Sequence, residues 1–504
     1  MRIRSRRGRL AASAAVILLA APLLTAAAEP HDTSPAELAD AVTLDGVLRH
    51  LDALQAIADA HGDRAAGRPG YRASVDYVAA TLTAAGYQPS VREFQFEYVE
   101  EKSELHQVAP TPTTYAPGRD FTRNRFTPTH VGEATAPAYP VDVLIPPGPA
   151  PNSSTSGCEG SDFAGFPVGG IALLQRGTCG FAQKALNAQA AGASGAVLFN
   201  EGQAGRTSAI TPSGDTPGLA IPVVSATYDI GAQLAAGVSK VVRVKVDFAT
   251  ETRAAWNVLA ESRSGGPDHT VMAGAHLDSV PGGPGIDDNG SGSAVLLELA
   301  VRMAGVGTAN RVRFAWWGAE EEGLLGSEHY VATLPQAERD RIALYLNFDM
   351  VGSPNHVNGV YDGDNSLGSA PPGSIPPGSD GIEDVFEAFY TARGLPFEDA
   401  EFSGRSDYGP FIAVGIPAGG LFTGAEGVKT PEQAARYGGV AGAAFDPCYH
   451  RPCDSLTPVE DGADPALYAR LDAAYDLRGN VDKGALDVNA DAVAAAVATF
   501  ANRG

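Results

Sequence analysis

Residues 270–278 read Thr270-Val271-Met272-Ala273-Gly274-Ala275-His276-Leu277-Asp278. Apolar and small side chains run unbroken into an imidazole and a carboxylate. A short run of this kind reads as a buried strand, here Thr270–Ala275, with two polar groups at or just beyond its carboxyl end. The pattern recurs. Arg311–Trp317 is a second strand-like run and leads into Glu320-Glu321-Glu322. Ala343–Phe348 is a third and leads into Asp349, while Trp256–Glu261 is a further run upstream. Helical spacing fills the intervals, notably Ser291–Met303. That helix follows a glycine-rich turn, Gly282-Gly283-Pro284-Gly285-Ile286, which presents Asp287-Asp288-Asn289-Gly290. Strands alternating with helices imply an α/β fold whose mixed, mainly parallel central sheet is flanked by helices. In open sheets of that class the carboxyl ends of the strands form the ligand crevice, so groups far apart in sequence converge there.

Each group has an ordinary explanation when taken alone. A lone histidine is usually structural or merely exposed, an acidic run is usually solvated, and Asp287-Asp288-Asn289-Gly290 makes a good turn. Glu320–Glu322, however, follows Arg-Phe-Ala-Trp-Trp, where the chain is expected to be buried, and buried carboxylates need partners. His450 adds a second imidazole in the Cys448–Cys453 loop. The coincidence of these groups at strand ends favours a carboxylate and imidazole metal site over independent accidents.

Upstream, residues 38–86 carry helical spacing at Leu44, Val47, Leu48, Leu51, Leu54 and Ile57, with Gly86 as a stop, and a strand is expected near Val91–Val99. Residues 105–160 are rich in Pro, Thr, Gly and Ser. β/α signals follow: a strand at Ile171–Arg176, a helix near Phe181–Ala191, and strands at Gly195–Asn200 and Ile221–Ser225. The tail 485–501 reads as a final helix. The first residues are different in kind. Arg2, Arg4, Arg6, Arg7 and Arg9 precede an apolar run that ends Ala26-Ala27-Ala28, which is the form of a secretory signal peptide over residues 1–28. A membrane anchor is the alternative, but the dense apolar part is short for a span of ~20 residues. Ser5-Arg6-Arg7 hints at the twin-arginine route, with the general secretory route equally open.

The chain has 504 residues, enough for more than one domain, and a net charge of −23 that becomes more negative once the leader arginines are removed. Such acidity argues against nucleic acid and against anionic membrane surfaces as partners. Export makes the 4 cysteines interpretable. Three pairings are open to them, of which the local pairs Cys158–Cys179 and Cys448–Cys453 suit an oxidising compartment. Neither pair has zinc-ribbon spacing.

Two stretches resemble known families. Gly-Ile-Ala-Leu-Leu-Gln-Arg-Gly around Ile171, Ala-Ala-Gly-Ala-Ser-Gly-Ala-Val-Leu-Phe-Asn ending at Asn200, and Ile221-Pro222-Val223-Val224-Ser225 resemble the protease-associated (PA) domain. Gly274-Ala275-His276-Leu277-Asp278-Ser279, Asp288-Asn289-Gly290-Ser291-Gly292, Trp316-Trp317-Gly318-Ala319-Glu320-Glu321, Leu346-Asn347-Phe348-Asp349-Met350 and Cys448-Tyr449-His450 occur in that order. Together they resemble the secreted di-zinc aminopeptidases of metallopeptidase family twenty-eight, with Gly67-Arg68-Pro69-Gly70-Tyr71 in support. The resemblance implies a zinc exopeptidase fold over residues 38–100 and 253–504, interrupted by an inserted β-rich PA domain over residues 101–252.

It also implies roles. His276 and Asp349 would hold one zinc, Glu321 and His450 the other, and Asp288 would bridge them across a cis Asp288–Asn289 peptide. Asp278 would orient His276 through its other ring nitrogen. Glu320 would be the general base and Tyr449 a hydrogen-bond donor to the oxyanion. Arg405 would position the substrate backbone, an ion pair with Asp407 being its ordinary alternative. Phe422 would wall an apolar side-chain pocket that favours Leu, Met or Phe. Asp487 and Asp491 match a calcium motif of some relatives, and exposed side chains at i,i+4 are the alternative. The expected substrate is the amino terminus of a peptide or protein, and the expected form is an extracellular monomer. The competing readings are a zinc carboxypeptidase or dipeptidase of the same superfamily, a non-catalytic peptidase-like binding protein, and a sugar-binding protein built on the PA block.

Overall fold

A computed structural model describes residues 31–32, 34–203, 206–237, 240–371 and 373–503. The signal peptide expected over residues 1–28 lies outside the described residues.

Two eight-stranded sheets organise the chain. The first consists of β1 (Ser90–Glu101), β2 (Phe248–Glu261), β3 (Gly266–His276), β4 (Asn310–Trp317), β5 (Ile342–Phe348), β6 (Gly359–Tyr361), β7 (Glu398–Ala400) and β8 (Ala418–Phe422). Their spatial order is β7-β6-β8-β5-β3-β4-β2-β1. The centre is parallel, β3 pairing with β4 on one side and β5 on the other, and β5 with β8. The β2 side is antiparallel, and β6 pairs antiparallel with β8. This is the mixed, mainly parallel sheet expected from the alternation of strands and helices. The central strands are buried over most of their length, which is why they read as continuous apolar runs rather than alternating ones.

The stretch 38–86 is three helices rather than one continuous run. Pro35–Ala41 ends at Val42, and Leu44–His61 begins on Thr43, whose hydroxyl accepts the Gly46 N–H. Gly62 then closes that helix with φ 92°, a left-handed conformation that side-chain-bearing residues avoid. Pro69–Ala85 starts with proline in its first turn and stops at Gly86, as expected. Val47, Leu51, Leu54 and Ala58 of the second helix are buried at the i,i+4,i+7 spacing of one face. The final helix, Lys483–Ala501, is the one described helix long and apolar enough to cross a membrane, but most of it is buried in the core.

The second sheet lies wholly between the paired ends of β1 and β2, where Phe248 faces Glu101. Its centre is parallel, Gly132–Pro140 to Ile171–Gln175 to Gly195–Phe199 to Val223–Ala226. Its core is its own: the clusters around Leu173 and Leu174 contain no residue of the first sheet's clusters. Disulfides join Cys158 to Cys179 in this unit and Cys448 to Cys453 in the other, the two local pairs expected from the sequence.

Candidate metal centre

Three strands of the first sheet end at one point. β3 ends in His276, the chain after β4 carries Glu320 and Glu321, and Asp349 directly follows β5. Asp288 comes from the turn Ile286–Ser291, where Asp288 and Asn289 depart from helical dihedrals and are joined by a cis peptide. His450 comes from the loop stapled by Cys448–Cys453.

The geometry sorts these side chains into two triads that share Asp288. His276 Nε2 is 3.2 Å from Asp288 Oδ1 and 3.4 Å from Asp349 Oδ1. His450 Nε2 is 3.2 Å from Asp288 Oδ2 and 3.1 Å from Glu321 Oε2. One oxygen of the shared carboxylate thus faces each imidazole. A third grouping joins His276 with Glu320 and Glu321.

The residues present fit cations. Buried Glu321 Oε1 and Asp349 Oδ1 have no hydrogen-bond partner, and unpartnered buried oxygens are rare in a native fold. Burial, then Asp288, pushes the Glu321 carboxyl up to about 7. Burial opposes the charged form of His450, yet Glu321 and Asp288 override it and push the imidazole up to about 11. The pocket draws positive charge to itself. Imidazole and carboxylate donors without thiolate are the zinc-type set.

Supporting contacts fix the candidate ligands. His276 Nδ1 lies 3.1 Å from the backbone oxygen of Asp278, while the Asp278 carboxylate is 3.8 Å away. The orienting contact expected of Asp278 therefore runs through its carbonyl. Its carboxylate instead accepts the backbone N–H groups of Glu320 and Glu321, at 3.2 and 3.3 Å, and so holds the turn after β4.

Three residues given no such role from the sequence do similar work, and a fourth, Asp407, is buried beside them. Asp454 accepts the N–H groups of Asp287 and Asp288 at 2.8 and 3.0 Å. Ser406 donates to Asp349 Oδ2 at 2.6 Å. Arg64, fully buried, donates to the carbonyls of Leu277, Pro284 and Gly285 and ties β3 to the glycine-rich turn. Asp407 is fully buried with both carboxylate oxygens unpartnered, and burial pushes it up to about 7 against the pull of His276. Asp287 and Asp454 are separated by 167 residues, a distance at which no motif could have linked them.

A cavity of about 690 Å³ opens above the triads, lined by Glu320, Tyr449, Arg405 and Phe422 among others. The Tyr449 ring stacks on His450 at 3.8 Å, and burial with nearby Asp288 and Glu321 holds its phenol strongly protonated, hence a donor. Arg405 pairs with Glu426 at 3.2 Å, not with the buried Asp407. Phe422 also borders an adjoining cavity of about 290 Å³ with Val357, Ala400 and Phe445. Asp487 and Asp491 lie on the last helix, away from this cavity. Asp491 is 2.8 Å from Arg393, and among the described residues neither joins a cluster of three candidate ligands.

Comparisons with known proteins agree with this geometry. The sequence model of Peptidase family M28 matches residues 257–471, and that of the PA domain matches residues 141–234. An aminopeptidase from Pseudomonas aeruginosa is 48% identical over 436 residues, 86% of this chain and 80% of its own length. Leucine aminopeptidase 2 of Trichophyton rubrum is 35% identical, covering 92% of this chain and 86% of its own. Among solved structures, a zinc aminopeptidase from Bacillus subtilis superposes with a TM-score of 0.62 at 25% identity, over 92% of this chain and 96% of its own. With the paired triads in place at the strand ends, these similarities over most of both partners' lengths establish that the chain belongs to peptidase family M28.

Proposed function

We propose that this chain is an exported aminopeptidase that carries two zinc ions and removes apolar residues, Leu, Met or Phe, from free peptide amino termini. The coarser statement is secure: it is a metallo-aminopeptidase, like the relatives it matches over most of its length. The observation that carries the finer one is the shared Asp288, each of whose oxygens faces a different imidazole and carboxylate.

His276 and Asp349 would hold one metal and Glu321 and His450 the other, with Asp288 offering one carboxylate oxygen to each. When bound, the pair supplies the Lewis acidity that polarises the scissile carbonyl and makes water nucleophilic at neutral pH. The side chains do the rest. Glu320 lines the same cavity, takes the proton of the attacking water and delivers it to the leaving amine. Tyr449 donates a hydrogen bond to the oxygen on which negative charge develops. Glu320 lines the cavity as an acid outside the ligand set and, beside the carboxylates of the metal centre, favours a free α-ammonium over a blocked one. Phe422 presents an apolar wall to the first side chain. Two disulfides suit an oxidising, extracytoplasmic compartment. Calcium at Asp487 and Asp491 would have to displace Arg393.

The test is to purify the protein without chelator, count its zinc, and assay Leu-p-nitroanilide beside its N-acetylated copy. About two zinc per chain, cleavage of the free-amine substrate alone, and loss of activity on chelation are expected. Zinc without free-amine hydrolysis would overturn the reading in favour of a carboxypeptidase or dipeptidase.

A further inference from the structure

One residue lining the catalytic cavity does not come from the peptidase unit. It is Arg125, on the short strand Arg125–Thr127 of the inserted unit. Its direction is fixed by its neighbours. Asn124 and Phe126 are each 2% exposed. Asn124 donates from its side chain to the Val223 carbonyl and accepts the Phe126 N–H at 3.0 Å. The Arg125 N–H is used by the Pro212 carbonyl at 2.7 Å. Successive side chains of a strand point to opposite faces, so with its neighbours turned into the inserted unit's core, Arg125 must project outward, into the crevice.

The crevice is otherwise acidic. Asp288, Glu320, Glu321 and Asp349 belong to the metal centre and its base, but Glu322, Glu401 and Glu426 do not. Arg405 is engaged by Glu426. Arg125 is exposed, and among the described residues no carboxylate lies within ion-pair distance of it. Among the described residues the cavity thus has one exposed guanidinium without an ion-pair partner, supplied by the other unit.

An aminopeptidase holds the substrate's α-ammonium at its acidic floor, so whatever extends towards the rim is the carboxyl side of the peptide. A carboxylate there meets repulsion from Glu322, Glu401 and Glu426 unless a cation answers it. We propose that Arg125 is a specificity-determining residue that binds a substrate carboxylate on the far side of the scissile bond and so favours peptides bearing a negative charge there. The guanidinium fork suits that group in bidentate geometry. The carboxylate is either the terminus of a short peptide or an acidic side chain near the cleaved bond. This inference rests on the aminopeptidase reading above.

The experiment uses the full-length zinc-loaded protein with Arg125→Ala, Arg125→Gln and Arg125→Lys variants. Leucine release is measured from Leu-Gly-Gly against its carboxyl-terminal amide, and from Leu-Glu-Gly-amide against Leu-Gln-Gly-amide. The readout is the ratio of kcat/KM within each pair, with zinc content as the check on folding. Wild type is expected to prefer the carboxylate member of at least one pair by about three- to tenfold at low salt, carried mainly by KM, as suits a solvent-exposed ion pair. Arg125→Ala and Arg125→Gln should bring that ratio to near one, and Arg125→Lys should restore part of it. High salt should shrink the wild-type ratio. An effect confined to the first pair identifies the chain terminus as the ligand, and one confined to the second identifies the acidic side chain. Ratios unchanged by all three substitutions at equal zinc content would overturn the inference while leaving the aminopeptidase reading intact. No leucine release from any of the four peptides by wild type would overturn that reading, and this inference with it.

Discussion

Glu320 and Glu321 are adjacent in the chain and differ in their surroundings. Glu321 is drawn to His450 at 3.1 Å, and its other oxygen is buried without a partner. Glu320 has no ion pair among the described residues and faces the cavity, where burial, then Glu321, Asp407 and Asp349, raise its carboxyl well above the ordinary range against the pull of His276. A raised proton affinity beside the reacting bond is what a general base requires. Asp278 separates the two roles, because its carboxylate grips both backbone N–H groups and fixes which way each side chain leaves the turn. Glu320→Gln keeps the shape and the metal ligands and removes only the proton acceptor. We expect zinc content to stay at the wild-type value and kcat to fall about 100- to 10,000-fold. Metal analysis beside steady-state kinetics on Leu-p-nitroanilide checks this, and near-normal turnover with full zinc would remove Glu320 from the mechanism.

At the scale of elements, three of the five proposed ligands, His276, Glu321 and Asp349, sit where strands stop, and the backbone around the site is conformationally demanding. Ala319, Met350 and His450 have φ of 56°, 51° and 56°, left-handed values that non-glycine residues seldom adopt. Each is a proposed ligand or the immediate neighbour of a proposed ligand or base, and such outliers persist only where surrounding contacts over-determine them. Asp454 is one of those contacts: directly after the stapled loop that carries His450, it accepts the N–H groups of Asp287 and Asp288, and Asn480 donates to it at 2.8 Å. Asp454→Ala should loosen the turn that carries the shared carboxylate and weaken zinc binding about 10- to 100-fold, the usual cost of losing an outer-shell partner. Competition against a chelator of known affinity measures this, and unchanged affinity would reduce Asp454 to a structural role. These contacts also mark the limit of what could be read in the chain. The strands were legible because a strand buried on both faces must be a continuous apolar run, and the polar residues that end Thr270–Ala275 and Arg311–Trp317 stand out against it. His276, Asp288, Glu321, Asp349 and His450 came from ordered motifs. The supporting roles of Arg64, Ser406 and Asp454 left no pattern, since each rests on tertiary contacts between residues far apart in the chain, which have no spacing to betray them. The breaks at Thr43 and Gly62 were missed for a related reason: apolar residues keep helical spacing on both sides, and a single capping hydroxyl and a single glycine interrupt them.

At the scale of the molecule, β1 and β2 pair from Ser90 with Leu259 to Glu101 with Phe248, so the inserted unit hangs from the open end of a long hairpin. The Lys102 N–H still bonds to the Asp247 carbonyl, at 2.9 Å, which closes the ladder just where the insertion departs. A two-stranded ladder closed in this way is the geometry a short turn can span. Because the two units share no residue between their hydrophobic clusters, removing the insertion withdraws nothing from the core beneath the metal centre. It does withdraw Arg125, the residue that the inserted unit contributes to the cavity lining, and with it the wall we infer around that residue. We read that wall as a steric limit on how bulky a peptide can enter with its amino terminus first. A chain in which a short turn joins Lys102 to Asp247 should therefore fold and keep its zinc, while its preference for short over long peptides narrows. The measurement is the ratio of kcat/KM for Leu-p-nitroanilide to that for a structured peptide of about twenty residues with the same leucine terminus. The ratio should fall on deletion, because the small substrate never met the wall and the long one did. An unchanged ratio in a folded, zinc-loaded deletion would mean that the inserted unit does not gate the crevice, and its place beside the cavity would have to be explained by contacts to something other than the peptide being cut.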